Sequence, residues 1–153
     1  MSNQVIIWTN DDGELCETIN GDRKTLAEVQ ASITKPSFIT TRDQLPQDNL
    51  FRAAWVENGS TVYEDLTKAK VISCLILKEA AERALDREST NSALGDPTVF
   101  TVATISAAYQ ECKTDLETST TTASLRHCLK GFVASYAAEV ADNYGLDLSN
   151  YVP

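Results

Sequence analysis

The stretch LPQDNLFRAAWVENGSTVYEDLTKAK, from Leu45 to Lys70, joins two halves of the chain whose apolar residues follow different periods. Within it, Phe51 and Trp55 are four residues apart, a spacing that places both rings on one face of a helical turn. Asn58-Gly59 predicts a tight turn, because glycine adopts positive φ without a steric penalty. Thr61 to Tyr63 is typical of a short strand. The stretch therefore predicts a transition from sheet to helix.

Five residues of this stretch form the predicted structural and interaction anchor: Phe51, Arg52, Trp55, Asp65 and Lys68. The two aromatic rings, at roughly 150 to 250 Å² each, could hold a small β layer against a helix if they are core, or dock a partner if they are exposed. Asp65 is predicted to cap a helix that begins at Leu66. Arg52 is expected to pair with Asp48 or Asp65, or to reach a partner.

The same block resembles a recurrent motif of small tailed-bacteriophage proteins of unknown function, often encoded among tail or tail-fibre genes. The block that carries the match covers about a sixth of the chain. Its matching residues are Leu45-Pro46, Asp48, Phe51-Arg52, Ala54-Trp55, Asp65 and Lys68-Ala69-Lys70. The resemblance implies a virion protein made in the host cytoplasm, with other phage structural proteins as partners, and it implies no activity. Its relatives continue with an Arg-rich helix, whereas residues 71 to 77 are apolar here.

Charge and hydropathy limit the classes of partner. A net charge of −9 makes nucleic acid and anionic membrane unfavourable partners, because both are negatively charged. No run approaches the roughly 20 apolar residues that span a bilayer, and the first residues lack the pattern of a signal peptide. The sequence therefore predicts neither a nucleic-acid partner nor a membrane partner, and synthesis in the cytoplasm.

No pattern of catalytic or ligand-binding residues is present. The four cysteines lack CxxC spacing, so we expect free thiols rather than zinc or disulfides. His127 is the only histidine, and in a helix its neighbour Cys128 points about 100° away from it, which disfavours a nucleophile and base pair. Phosphate-binding glycine motifs are absent from the sequence. We therefore predict no catalytic, metal-binding or cofactor-binding residue, no cofactor and no enzymatic activity.

The N-terminal third has β character. Short β-prone runs from Val5 to Trp8 and from Leu15 to Ile19 flank Asp12-Gly13, which predicts a hairpin turn rather than a calcium loop. Thr25 and Glu28 have the spacing of a capping box, so a short helix is expected from Leu26 to about Ser32. Ser37 to Thr41 is predicted as a third strand.

From Asp65 onward the apolar spacing becomes helical. The apolar stripe of the first helix consists of Leu66, Ala69, Ile72, Ile76, Ala80 and Ala84. The first helix is expected to end near Asp86, and a second is expected to begin at Asp96-Pro97, with Asp as N-cap. After a break at residues 118 to 122, a third helix is expected to continue to Tyr144 and to end at Gly145. Each helix is predicted to be about 20 residues long.

The apolar stripes of these helices have two interpretations. They are either ordinary core or a possible oligomer seam, because three long stripes offer more apolar edge than a small bundle covers. Under the second interpretation the chain is a homo-oligomer. The residues of the possible seam are Val102, Ile105, Tyr109, Leu116, Leu125, Leu129, Phe132, Tyr136 and Val140.

The predicted fold is α+β: a small β-rich layer at residues 1–64, followed by a three-helix assembly at residues 65–153, together one structural unit. The predicted function is that of a non-enzymatic structural or assembly protein of a tailed bacteriophage, associated with the tail or tail fibre and acting through protein contacts. The alternatives are a capsid decoration protein, found on heads; a tail-fibre assembly chaperone, absent from mature particles; and a small enzyme that uses His127 or a carboxylate pair.

Overall fold

The structure, a computed structural model, describes residues 3–21 and 23–151. The chain divides into two compact units after Asp65. The strands lie in the first unit and the long helices in the second, so the predicted α+β class is confirmed.

An antiparallel three-stranded sheet forms much of the first unit. Its strands are β1 (Gln4–Thr9), β2 (Leu15–Thr18) and β3 (Ser37–Thr41), in the order β2-β1-β3. The predicted hairpin and the predicted third strand are therefore confirmed. Gly13 closes the β1–β2 turn with a φ of 79°, which other residues adopt only with strain.

The short helix α1 (Leu26–Ala31) begins with the predicted capping box. Thr25 Oγ1 accepts a hydrogen bond from the Glu28 amide at 3.3 Å, and Glu28 Oε2 accepts one from the Thr25 amide at 2.7 Å. The backbone hydrogen bond from Thr25 lowers the pKa of the Glu28 carboxyl, because it favours the charged form. Local sequence is sufficient to start this helix.

A second hairpin ends the first unit. Its strands are β4 (Trp55–Glu57) and β5 (Val62–Glu64), joined through the predicted Asn58-Gly59 turn. The prediction that Phe51 and Trp55 share one helical turn is wrong. Arg52–Ala54 forms a 3₁₀ turn, and Trp55 already belongs to a strand because it pairs with Glu64. Both aromatic residues are nevertheless buried.

Side chains from several segments meet in the core of the first unit. The buried members are Val5, Ile7, Leu45, Trp55 and Val62, and Leu15 and Phe38 pack against them. Val5 and Ile7 alternate along β1 and so lie on one face of the sheet. This core packs Leu45, Trp55 and Val62 against the sheet.

Three long helices form the second unit. They are α2 (Leu66–Leu94), α3 (Val102–Thr118) and α4 (Thr122–Tyr136), and each packs against the other two. The predicted three-helix assembly is confirmed, although the helices span 29, 17 and 15 residues instead of about 20 each. None of the helices in the described ranges is both long and apolar enough to cross a bilayer.

The predicted junction between the first two helices is wrong at both ends. α2 continues eight residues beyond Asp86, to Leu94. α3 begins at Val102 and not at Pro97, because Thr101 Oγ1 caps it by accepting a hydrogen bond from the Thr104 amide at 3.1 Å. Asp96 and Pro97 lie in the connecting loop.

The last predicted helix is interrupted. α4 ends at Tyr136, where Ala137 adopts a φ of −152°, and the chain continues through a 3₁₀ turn into α5 (Ala141–Tyr144). Gly145 ends α5 in the left-handed region at a φ of 66°, as predicted. The Leu146 amide donates to the Ala141 carbonyl at 3.0 Å, and its side chain is buried.

Candidate functional site

The predicted anchor residues lie in different environments. Phe51 is fully buried and Trp55 is 6% exposed, so both are core residues. The Asp65 amide, at the end of the first unit, donates to the Ala54 carbonyl at 2.8 Å. Lys68 is exposed on the first turn of α2.

Arg52 interacts with two side chains of the first unit. Its guanidinium lies 4.1 Å from the centre of the Trp55 ring, and its Nη2 lies 3.2 Å from Glu17 Oε2. The sequence predicted that Arg52 pairs with Asp48 or Asp65, or reaches a partner; the structure shows a pair with Glu17 on β2 that the sequence did not predict. Both charged side chains are about one third exposed, so the ion pair contributes at most about 1 kcal/mol.

A pocket of about 580 Å³ adjoins these residues in the first unit. Arg52 and Trp55 line it together with Asp12, Glu14 and Cys16. Within the described part of the chain, Arg52 Nη1 and Trp55 Nε1 are buried without a hydrogen-bond partner. The Arg52 guanidinium favours an anionic ligand, whereas the carboxylates of Asp12 and Glu14 repel one. The lining therefore does not favour a ligand of one particular charge.

Most residues of the possible oligomer seam are internal to the second unit. Six are buried within one chain: Ile105, Leu116, Leu125, Leu129, Phe132 and Val140. Tyr109 and Tyr136 are partly buried, and Val102 is 59% exposed. A second copy could reach Val102 and the outer parts of the two tyrosines, whereas the six buried side chains pack this chain's own helices.

Tyr136 belongs to an aromatic group of the second unit. Its ring centre lies 4.8 Å from that of Phe100 and 5.0 Å from that of Phe132. Arg87 Nη2 also donates to the Tyr136 carbonyl at 2.7 Å, at the end of α4. Tyr136 therefore joins the α2–α3 connection to α4.

The second unit has an open groove between α2 and α3. Two hollows of about 400 and 240 Å³ share Lys78 and Tyr109 in their walls. We define the α2–α3 groove as the combined lining of these two hollows, which extends from Lys70 to Leu85 on α2 and from Ile105 to Glu117 on α3. Val71 is 59% exposed and Leu75 is 63% exposed. Two large apolar side chains thus face solvent one helical turn apart.

The predicted apolar stripe of the first helix does not include the exposed residues of this groove. It placed Ile72 and Ile76 on the inner face of the first helix, and the structure buries Ile76 completely. The available signal was the apolar run from Val71 to Leu77, which only Ser73 interrupts and which is wider than one face of a helix. A run of that width leaves apolar side chains outside the chain's own core.

Lysines surround the apolar part of the groove. Lys70, Lys78 and Lys113 line the larger hollow, and Glu117 is its only carboxylate among the described residues. These groups carry a formal charge of +2, in a chain whose net charge is −9. Lys70 Nζ also donates to the Glu117 carbonyl at 2.7 Å, near the end of α3. The larger hollow is therefore apolar inside and positive at its edge.

A further hollow of about 350 Å³ in the second unit contains His127 and Cys128. The exposed His127 ring lies 5.8 Å from that of Tyr151, centre to centre. Burial raises the pKa of the Cys112 thiol to about 12, and also raises the pKa of Cys128. Both thiols are therefore protonated at neutral pH, whereas the thiolate is the nucleophilic form. This hollow holds no activated cysteine nucleophile.

Cys16 and Cys74 are the other two cysteines of the chain. All four cysteines are free thiols, and burial also raises the pKa of Cys74. In the described ranges, no cluster of three or more His, Cys, Asp or Glu side chains could hold a metal ion.

The geometry defines an α+β protein in two units, with a lysine-edged apolar groove in its helical unit. No protein-family model, curated protein or solved structure matches this chain.

Proposed function

We propose that this chain is a non-enzymatic structural or assembly protein of a tailed bacteriophage, associated with the tail or tail fibre. We further propose that it acts by binding another protein through the α2–α3 groove. The exposure of Val71 and Leu75 side by side on α2 carries this proposal. Burial of one such side chain contributes about 1.5 to 3 kcal/mol. Covering the groove would therefore release useful binding energy.

The phage part of the proposal is supported by the resemblance of the block from Leu45 to Lys70 to small tailed-phage proteins. On this proposal the protein resides in the virion, its partners are other phage structural proteins, and it functions as an oligomer. The acidic net charge is compatible with partners other than nucleic acid or anionic membrane.

The non-enzymatic part of the proposal is supported by the groups around His127. The neighbouring thiols of Cys112 and Cys128 have raised pKa values, so they are poorly suited to nucleophilic chemistry. Protein binding requires no such group, and the exposed side chains of the groove are sufficient for it.

The test is to locate the protein in particles and to alter the groove. We expect mass spectrometry of purified phage to find it in separated tails. Leu75→Ser in the phage genome should lower the yield of complete particles, whereas Leu94→Ser, at a site that is 71% exposed and lies outside the groove, should not.

Other outcomes identify the alternatives. Recovery of the protein with separated heads would support a decoration protein, and its absence from mature particles would support an assembly chaperone. A normal particle yield with Leu75→Ser would contradict the proposed role of the groove.

A further inference from the structure

We infer that the α2–α3 groove binds an amphipathic helix with acidic flanks, supplied by a different protein. This inference rests on the proposed function, because it names the class of partner that the same groove takes. Its basis is the length of the groove, the chemistry of its walls and the arrangement of its lysines.

The walls of the groove favour a helix as the occupant. Both walls are helices, whose interior backbone groups are already hydrogen-bonded, so the groove offers side-chain packing and no free strand edge. Along α2 the lining extends from Lys70 to Leu85, which is about 22 Å at 1.5 Å per residue. A partner helix of about four turns has this length, and its ridges would pack between α2 and α3.

The charges at the groove favour an acidic partner. The apolar side chains Val71 and Leu75 share the larger hollow with Lys70, Lys78 and Lys113, against the carboxylate of Glu117. The smaller hollow adds Glu82, which lies 3.7 Å from Lys78, so three lysines and two carboxylates leave the groove with a formal charge of +1. A helix with an apolar stripe for the hollow and Glu or Asp beside that stripe would match both features. Complementary charges of this kind select partners and accelerate association.

The arrangement of lysines also disfavours a second copy of this chain. In a two-fold dimer the same patch faces itself. If two α2 helices paired antiparallel about the midpoint of Val71 and Leu75, each Lys78 would lie opposite Lys68 of the second copy, because both are five residues from that midpoint. Like charges would then meet across the interface beside the apolar contact, which disfavours association.

The experiment uses the full chain and two labelled peptides of about 16 residues, the length that matches the groove. Both peptides carry the same leucine stripe at helical spacing. Glutamates flank the stripe in one peptide and lysines flank it in the other. Fluorescence anisotropy measures the two dissociation constants, and we expect the glutamate peptide to bind at least about tenfold more tightly.

Matched variants connect this binding to the groove. Leu75→Ser should weaken the glutamate peptide about tenfold or more, whereas Leu94→Ser, another exposed leucine of α2, should leave its affinity unchanged. The double variant Lys78→Glu and Lys113→Glu should reverse the order of the two peptides. Circular dichroism of each variant verifies that the helices remain folded.

Three results would overturn the inference. They are the absence of binding by either peptide, equal affinities for the two peptides, and an affinity for the glutamate peptide that Leu75→Ser leaves intact. Sedimentation of the wild-type chain tests the other occupant. An oligomer that dissociates on Leu75→Ser would mean that a second copy covers the groove.

The failure of this inference is distinguishable from the failure of the proposed function. If Leu75→Ser lowers particle yield while the glutamate peptide does not bind, the groove serves assembly with a partner of different chemistry. If the glutamate peptide binds as expected while Leu75→Ser particles assemble normally, the groove binds acidic helices and the proposed function is contradicted.

Discussion

The Glu88 carboxylate, near the end of α2, accepts a hydrogen bond from the Val99 amide at 2.9 Å. Glu88 is only 3% exposed, and its other oxygen lies 3.4 Å from Arg87 Nε. Arg87 also reaches the Tyr136 carbonyl and lies 3.6 Å from Glu139. These two adjacent residues of α2 therefore hold the α2–α3 connection and the end of α4.

Replacing Glu88 by alanine should lower the free energy of unfolding by about 2 to 3 kcal/mol, because it removes a hydrogen bond with a charged acceptor from a buried site. Urea unfolding followed by circular dichroism measures the change. Asp86→Ala, at an exposed position on the same helix, is the control and should have a small effect. Equal losses in the two variants would contradict a specific role for Glu88.

Thr101→Ala should lower the free energy of unfolding by about 1 kcal/mol, because Thr101 Oγ1 accepts the Thr104 amide at the start of α3. Asp96→Ala tests the start that the Asp-Pro pattern predicts. Thermal unfolding of both variants compares the two positions directly. A larger loss for Asp96→Ala would place the effective cap at Asp96.

Trp55→Ala should cost about 3 to 5 kcal/mol of stability, because its large side chain is buried in the core of the first unit. Tyr63→Ala is a matched control on the adjacent strand, where the tyrosine is 49% exposed, and its effect should be much smaller. Chemical denaturation gives both values. Unchanged stability with lost partner binding would instead identify Trp55 as a docking residue.

The raised pKa of the Cys112 thiol predicts that the stability of the fold depends on pH. The pKa of this thiol in the fold, about 12, lies above its ordinary value of 9.0, so the unfolded chain loses the thiol proton first as the pH rises. The contribution of the buried, protonated Cys112 thiol to the free energy of unfolding is therefore complete below pH 9 and decreases as the pH rises toward 12. Denaturant unfolding at pH 8 and at about pH 10.5 should show a larger loss of stability for wild type than for Cys112→Ala. Equal losses of stability in wild type and in Cys112→Ala would contradict the raised pKa of Cys112.

The block from Leu45 to Lys70 shows which structural features the local sequence can predict. Its Asn58-Gly59 turn and the helix start at Leu66 follow from residues within a few positions of each other, and the structure contains both. The Arg52–Glu17 pair joins residues that are 35 positions apart. The spacing of residues within the block does not predict that pairing, because the pairing depends on where β2 lies relative to the 3₁₀ turn that contains Arg52.

The helical unit shows the same division. Amphipathic spacing was sufficient to predict three helices, and residue type was sufficient to predict the helix end at Gly145. The same spacing did not predict that α2 extends to Leu94, or that Thr101 caps α3 at Val102. Beside that junction, Glu88 accepts a hydrogen bond from the Val99 amide. Glu88 makes its contact across eleven residues, a separation that helical periodicity does not describe.

The candidate groove was the least visible feature in the sequence. The sequence by itself determined the α+β class, the turns and the existence of the helices, because those properties follow from backbone conformational preferences and local apolar spacing. Only the tertiary structure decided which apolar side chains the chain buries and which it leaves open. Ile76 and Leu75 are adjacent and both apolar, yet Ile76 is 1% exposed and Leu75 is 63% exposed. Their difference arises from the positions of α3 and α4 around α2, since neighbouring helical residues point in different directions and only packing decides which direction is covered.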